Sequence, residues 1–223
     1  DHIQHRPAQP VWQELPNKAK RLDDPLPQHG APLGDLVNEV SESVMPYTLG
    51  NVHPRFWGWV HGSGTPGAVV SQMMIAAINA NMGGRDHAPM YIERQVIAWM
   101  VELFGYPTGA SGVITTGTST ATLLGLSVAR QRAGGVNFRA AGNSSLNLVA
   151  YTSSQSHVSV SKAMQLMGLG SNALRSVPVN GDFTMDCMSL AEMMASDLAN
   201  GLTPFAVVSV VGSVNTGAID DLV

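Results

Sequence analysis

The sequence predicts an α/β protein with a mainly parallel sheet flanked by helices. Strand-like and helix-like segments alternate along the second half of the chain. The strand-like runs at residues 148–152, 173–179 and 205–211 are nearly all apolar, which is typical of strands covered on both faces. Hydrophobic residues make up 44% of the 223 residues and charged residues only 13%, so the chain can bury a large core.

The first part of the chain is less regular. Residues 1–32 are rich in Pro, Gln and His without periodicity, which predicts an extended arm or connector. Residues 34–44 have the apolar spacing of a short amphipathic helix. Residues 51–66 combine three aromatics, two histidines and three glycines. Such a stretch either lines a pocket or packs as a loop over apolar surface, and both interpretations remain open.

Two further helices are predicted at residues 67–82 and 89–104, each with apolar residues repeating at helical spacing on the side expected to face the core. Residues 112–130 follow. This stretch has a β-branched run at 113–116, a glycine at position 117, and the hydroxyl-bearing Thr118 and Ser119 at the start of an apolar helix. The first turn of a helix has unpaired N–H groups and a partial positive charge. The stretch therefore predicts either a phosphate site or a simple Ser/Thr helix cap.

Polar side chains follow three of the predicted strands. Thr118 and Ser119 follow the first strand, His157 follows the second, and Ser213 and Asp220 follow the third. Ligands of open parallel sheets bind beyond the carboxyl ends of the strands, so these groups converge if the three strands are neighbours. A phosphate at the first end, a flat ring against the imidazole and a polar ring substituent near the last hydroxyl would describe pyridoxal phosphate.

Composition excludes several other classes of function. The net charge of −4 gives no electrostatic case for nucleic-acid binding. No apolar run is long enough to span a membrane, no secretory signal is recognisable, and the histidines lack the spacing of a metal site. The one cysteine, Cys187, excludes an internal disulfide, and we expect it to be a buried thiol in a cytoplasmic protein.

Five segments in series resemble the group II pyridoxal-phosphate-dependent amino-acid decarboxylases, the family of aromatic-amino-acid and glutamate decarboxylases. The segments are HPRFWGW (53–59), IERQVIAWM (92–100), GVITTGTSTATLLGLSVAR (112–130), YTSSQSHVSVSKA (151–163) and GSVNTGAIDDL (212–222). The resemblance implies the large domain of a fold type I, aspartate-aminotransferase-like enzyme with pyridoxal 5′-phosphate as cofactor. It divides the chain into an N-terminal arm with a substrate loop, residues 1–62, and the first part of the cofactor-binding domain, residues 63–223.

The resemblance also implies roles for individual residues. Thr118 and Ser119 match phosphate-binding positions. His157 matches the catalytic histidine that stacks on the pyridine ring and faces the substrate. Ser213 matches a hydroxyl near the cofactor, and Asp220 in the same segment is expected to bind the cofactor as well.

A separate loop is implied to contact the side chain of the substrate. Its matching positions are Trp59, Val60 and Gly62. The loop departs from the aromatic-specific enzymes, so the identity of the amino acid does not carry over.

The family's Schiff-base lysine and its pyridine-nitrogen aspartate lie beyond the last matching segment. The only lysines here are Lys18, Lys20 and Lys162, and none matches the Schiff-base position. We therefore expect a fragment, inactive by itself, of a homodimeric enzyme that decarboxylates an L-amino acid to an amine and CO2. A different fold type I lyase or transferase and a non-catalytic chain remain alternatives. A nucleotide-binding domain is disfavoured, because no GxGxxG or GxxxxGK[ST] follows a predicted strand.

Overall fold

A computed structural model of the chain describes residues 2–16, 26–83, 85–135, 138–142 and 146–222. The chain divides into two compact units, Asp1–Asn81 and Met82–Val223. The domain boundary expected after residue 62 stays a prediction. Of the three lysines, Lys18 and Lys20 lie outside the described residues.

The first unit is helical. Its α-helices are α1 (His2–His5), α2 (Leu33–Ser43) and α3 (Pro66–Ile78), and short 3-10 turns follow α1 and α2. The expectation that residues 1–32 form only an extended arm was therefore wrong at the start of the chain. Buried Arg6 explains the difference, because its guanidinium donates to the Gln9 side chain and to the Val11 carbonyl, both at 3.1 Å. These bonds close a turn that no apolar periodicity indicates.

The predicted helices of this unit form, but their apolar faces are not buried. Val37 of α2 is 55% exposed and Met73 of α3 is 69% exposed, and neither helix has a buried residue. The expectation that α3 faces a core was therefore wrong here. Apolar spacing predicts which face of a helix can be buried, whereas burial itself requires another element against that face.

The second unit is an α/β structure. Its helices are α4 (Ala88–Leu103), α5 (Thr118–Gly134), α6 (Phe138–Ala141), α7 (Ser159–Leu166) and α8 (Cys187–Ala199). Its strands are β1 (Leu148–Ser153), β2 (Leu174–Val177) and β3 (Thr203–Val208), in the order β2-β1-β3 and all parallel. The predicted parallel sheet is confirmed. The prediction that the apolar residues of α4 face the core was wrong, because none of its residues is buried.

Both faces of the sheet are covered. On one face, Ala150 of β1 packs with Leu126 of α5 and Met164 of α7. On the other face, Tyr151 packs with Val177 of β2 and with partly buried residues of α8. All six residues of β1 are buried, which explains why its sequence does not alternate between apolar and polar residues.

A buried polar network joins the sheet to α8. The Tyr151 hydroxyl donates to Asp197 Oδ2 at 2.8 Å. Arg175 of β2 binds the same carboxylate through Nε at 2.9 Å and Nη2 at 3.1 Å. The hydrogen bond from Arg175 lowers the pKa of Asp197, whereas burial and then the Asp197 hydrogen bond raise the pKa of Tyr151. One carboxylate on α8 thus links this helix to both β1 and β2.

The strand predicted at residues 113–116 does not form. In the described part of the chain no strand pairs with this segment, and Val113 and Ile114 are 61% and 57% exposed. β-Branched residues favour an extended backbone, but a strand also needs a neighbour to complete its hydrogen bonds. The expectation for Cys187 was wrong as well, because this first residue of α8 is exposed. Among the described residues, no helix combines the length and apolar character needed to cross a membrane.

Candidate functional site

The carboxyl ends of β1 and β3 lie side by side. The two strands are parallel neighbours, and Thr152 of β1 is in register with Val208 of β3. The loop that carries His157 follows β1, and the loop that carries Ser213 follows β3. Two of the three predicted groups of polar residues therefore start from the same edge of the sheet.

Helix α5 packs against α7 and β3. Its far end lies near the end of α7, because Arg130 donates to the Met167 carbonyl at 2.7 Å. Nearer its start, Thr122 lines a cavity of about 460 Å³ together with Val208 and Ser209 at the end of β3. The start of α5 and the carboxyl end of β3 therefore share one side of the second unit.

The first turn of α5 offers donors to an anion. The N-cap residue of α5 is Gly117, which has no side chain. The interpretation of this stretch as a Ser/Thr helix cap was therefore wrong. Thr118 and Ser119 are the first two helical residues, both exposed, and no acidic residue lies in this turn. Free N–H groups, two hydroxyls and the positive end of the helix dipole form a donor set that suits a phosphate.

The imidazole of His157 is held in one orientation. Its Nδ1 accepts from the backbone N–H of Ser159 at 3.2 Å and lies 2.9 Å from the Ser159 hydroxyl. Because Nδ1 is an acceptor, the neutral ring carries its proton on Nε2. His157 is exposed, whereas Ser159 is only 5% exposed. The ring is thus anchored on one side and accessible on the other.

Sequence reasoning missed Ser159 as the residue that orients the imidazole. The available signal was the spacing His-x-Ser at a helix start, where a side chain can bond the backbone two residues away. Sequence reasoning also missed Thr216, whose hydroxyl donates to the Ser213 hydroxyl at 3.0 Å. Ser213 is 6% exposed, so its oxygen is fixed within the loop.

Asp220 is buried, and each oxygen of its carboxylate accepts a hydrogen bond from a backbone N–H group. Its Oδ1 accepts from the Met185 N–H and its Oδ2 from the Val210 N–H, both at 2.7 Å. The carboxylate therefore links the segment after β3 to the turn after β2 through two backbone amides.

The three predicted substrate residues lie in the first unit. Trp59 has a φ of 57°, a left-handed conformation that is uncommon for a large side chain. Its ring lies 5.8 Å from the Phe56 ring and 5.5 Å from the His61 ring. Val60 and Gly62 flank His61 and are exposed, Val60 at 76%.

His53 stabilises this loop through two hydrogen bonds. The buried imidazole of His53 accepts the Arg55 N–H at Nδ1 and donates from Nε2 to the Gln9 carbonyl at 3.1 Å. At the other end of the loop, Asn51 Nδ2 lies 3.4 Å from His61 Nδ1. Phe56, Trp59 and the two histidines thus pack within the loop, whereas Trp57 is 90% exposed and Trp59 is 63% exposed.

The residues at the sheet edge suit pyridoxal phosphate chemically. The start of α5 supplies donors for a phosphate, His157 supplies an anchored flat ring, and Ser213 supplies a fixed hydroxyl. The loops that carry His157 and Ser213 leave from the same edge, and Thr122 in the second turn of α5 lines a cavity with the carboxyl end of β3. The fold and this donor set define a class: an α/β protein that binds an anionic ligand beyond the carboxyl ends of parallel strands.

Comparison with known proteins identifies the family. Residues 16–223 match the family model described as "Pyridoxal-dependent decarboxylase conserved domain". The chain therefore belongs to the pyridoxal-dependent decarboxylase family, whose cofactor is pyridoxal 5′-phosphate. The resemblance stated from the five sequence segments is confirmed.

Individual relatives agree with this assignment. The chain is 26% identical over 231 residues to an aromatic-L-amino-acid decarboxylase of Bacillus atrophaeus, covering 100% of this chain and 46% of that protein. It is 27% identical to an L-2,4-diaminobutyrate decarboxylase of Rhizobium meliloti (strain 1021), covering 90% of this chain and 39% of that protein. The chain spans less than half the length of these two relatives.

A solved structure shows the same fold. The chain superposes with a TM-score of 0.86 on the crystal structure of the glutamate decarboxylase domain of diaminobutyrate-pyruvate transaminase and L-2,4-diaminobutyrate decarboxylase from Vibrio parahaemolyticus. The two sequences are 32% identical, and the match covers 93% of this chain and 47% of that one. The fold expected from the resemblance, a fold type I large domain represented in part, is confirmed.

Proposed function

We propose that the protein is an amino-acid decarboxylase that uses pyridoxal phosphate to convert an L-amino acid into the amine and CO2. The observation that carries the proposal is the family match over residues 16–223. The oriented imidazole after β1 and the hydroxyl-rich start of α5 support it. The chain spans about half the length of its relatives, so the proposal concerns the full-length enzyme, to which these residues contribute part of the active site.

The first turn of α5 would hold the phosphate. Thr118 and Ser119 lie where their hydroxyls and the free N–H groups of the turn can bind an anion together. Several donors on a rigid helix fix the position of the bound group more tightly than a single long side chain does. The role of these residues is therefore retention and orientation.

His157 would stack on the cofactor ring and face the substrate. Ser159 anchors the imidazole through Nδ1, so the ring plane is set before any ligand binds. The remaining Nε2–H is a donor that suits a substrate carboxylate. The chemistry that pyridoxal phosphate supplies when bound is an electron sink for the bond that breaks at the α-carbon.

Ser213 would contact the cofactor through its fixed hydroxyl, and Asp220 would contribute to the same site through the loop that carries Ser213. Trp59, Val60 and Gly62 would contact the substrate side chain. The strained backbone at Trp59 supports such a role, since uncommon backbone conformations persist where function maintains them. For the whole enzyme we propose a cytoplasmic homodimer whose small-molecule substrate is an amino acid.

The test is product analysis on the full-length enzyme with a panel of L-amino acids. Formation of an amine and CO2 in equal amounts supports the proposal. An aldehyde, an exchanged amino group or no product points to the alternative lyase, transferase or non-catalytic chain.

His157→Ala should lower the decarboxylation rate by about 100-fold or more in single-turnover experiments, since an oriented catalytic group contributes on that scale. The fold should be retained, because His157 is exposed. Lys162→Gln on α7 is the matched control and should keep the parent rate. A His157→Ala rate within twofold of the parent would exclude the assigned role.

A further inference from the structure

Asp220 is a buried carboxylate whose two oxygens are both used by the protein backbone. It is 4% exposed and accepts the Met185 and Val210 N–H groups at 2.7 Å each. Such short bonds from amides to a charged acceptor are among the strong hydrogen bonds of proteins. A carboxylate held in this way can fix the conformation of the two backbone segments that it joins.

The two amides belong to different parts of the fold. Val210 follows β3 by two residues, at the start of the loop that carries Ser213. Met185 closes the turn after β2, where it bridges Val179, and it is buried against Tyr151 of β1. Asp220 therefore ties the loop after the outer strand β3 to the buried core on the α8 face of the sheet.

The loop between Val210 and Asp220 is closed by its own backbone. Asp220 N–H donates to the Val210 carbonyl at 2.9 Å, and Val211 bridges Ile219. The N–H groups of Gly212 and Ser213 both donate to the Ala218 carbonyl at 3.0 Å. Asp220 thus stands at the base of a short antiparallel ladder with Ser213 near its tip.

The same loop fixes the Ser213 side chain. The Thr216 hydroxyl donates to Ser213 Oγ at 3.0 Å, and the Gly217 N–H donates to the Ser213 carbonyl at 2.8 Å. With Thr216 as the donor to its oxygen, the Ser213 hydroxyl keeps its own proton for another acceptor. The loop therefore orients one donor at the carboxyl edge of the sheet.

We propose that Asp220 and Thr216 are positioning residues that act on the cofactor through Ser213. This inference rests on the proposed function, in which Ser213 contacts pyridoxal phosphate. It replaces direct cofactor binding by Asp220 with an indirect role, because the carboxylate is only 4% exposed and both of its oxygens accept backbone N–H groups.

The test is a double-mutant cycle on the cofactor dissociation constant of the full-length enzyme. Asp220→Asn puts an NH2 group against a backbone N–H, so one of the two anchors is lost. Asp220→Asn and Ser213→Ala should each weaken pyridoxal phosphate binding by about tenfold, and the double variant should bind within about twofold of either single variant. Glu192→Gln, which removes one exposed negative charge on α8, is the control and should bind as the parent does.

Thr216→Val provides a second variant, because Thr216 is exposed and its loss should not prevent folding. Its effect on cofactor binding should also vanish in the Ser213→Ala background, and Thr216→Ser should restore the parent value. Hydrogen exchange should accelerate at one of the Met185 and Val210 amides in Asp220→Asn but at neither in Thr216→Val, which distinguishes the role of the carboxylate from that of the Thr216 hydroxyl.

Three results would overturn this inference while the proposed function stands. They are additive losses in the cycle, an unchanged dissociation constant in Asp220→Asn, and unchanged amide exchange at Met185 and Val210. A parent enzyme that binds no pyridoxal phosphate would instead overturn the proposed function and this inference together.

Discussion

At the residue scale, two adjacent hydroxyls at the end of β1 have opposite hydrogen-bonding states. Thr152 Oγ1 donates to the Val208 carbonyl at 2.9 Å across to β3. Ser153 Oγ is buried and has no hydrogen-bond partner among the described residues. Both residues are polar in the sequence. Which hydroxyl finds a hydrogen-bond partner depends on the face of the strand that it occupies and on the strand beside it.

Ser153→Ala should therefore raise the free energy of unfolding by about 1 kcal/mol. It removes a buried hydroxyl that loses its hydrogen bonds to water on folding and gains none in the protein. Thr152→Val, which keeps the side-chain shape, should lower it by about 1 kcal/mol through loss of the cross-strand bond. Urea unfolding of the two variants and the parent measures both changes. Equal losses in the two variants would contradict the assignment and indicate a partner for Ser153.

At the element scale, helices were predicted more accurately than strands. The predicted helices at 34–44, 67–82 and 89–104 form with shifts of a few residues, because helical hydrogen bonds are local and the sequence carries their periodicity. The run at 113–116 has strand propensity but no strand forms, since strand pairing depends on a neighbour elsewhere in the chain.

The start of α5 is the element on which phosphate binding depends. Ser119→Ala should weaken pyridoxal phosphate binding by about three- to tenfold, since it removes one hydroxyl donor to an anion while the helix N–H groups remain. Ser127→Ala is the matched control, because the Ser127 hydroxyl donates within α5 to the Leu123 carbonyl at 2.7 Å. Titration of the apoenzyme with cofactor measures both constants. An unchanged constant for Ser119→Ala would place the phosphate elsewhere.

At the scale of the whole α/β unit, the Asp197 carboxylate connects elements that lie far apart in sequence. It binds Tyr151 of β1 and Arg175 of β2 from its place on α8. Local sequence patterns predict none of these contacts, because the three residues are separated by 22 to 46 positions. Removal of Asp197 leaves the buried Tyr151 hydroxyl without its acceptor, whereas the Arg175 side chain is 30% exposed and can bind water.

Asp197→Asn should lower the free energy of unfolding at neutral pH by about 2 kcal/mol, because the Tyr151 hydroxyl loses a charged acceptor while water screens part of the Arg175 ion pair. The pKa of Asp197 is lowered in the fold from its ordinary value of 3.8, so the unfolded chain binds the proton first as the pH falls. The stability that Asp197 contributes is therefore complete above pH 3.8 and is lost as the pH falls through the lowered value.

The difference between the parent and Asp197→Asn should accordingly shrink below pH 3.8. Denaturant unfolding at a series of pH values measures this. Tyr151→Phe, which leaves the Arg175 ion pair in place, is the comparison and should lose only about 1 kcal/mol at neutral pH. A difference that stays constant into the acid range would show that Asp197 is not the titrating group.

The sequence by itself determined the α/β class, the alternation of elements, the family and the positions of the polar loops, because period, propensity and motif spacing are local properties. Tertiary structure decided that Ser159 orients His157, that Asp220 bonds to two backbone amides, and that one carboxylate joins β1, β2 and α8. Those outcomes depend on which segments lie side by side. Hydrogen bonds act over about 3 Å, so only the folded chain can assign their partners.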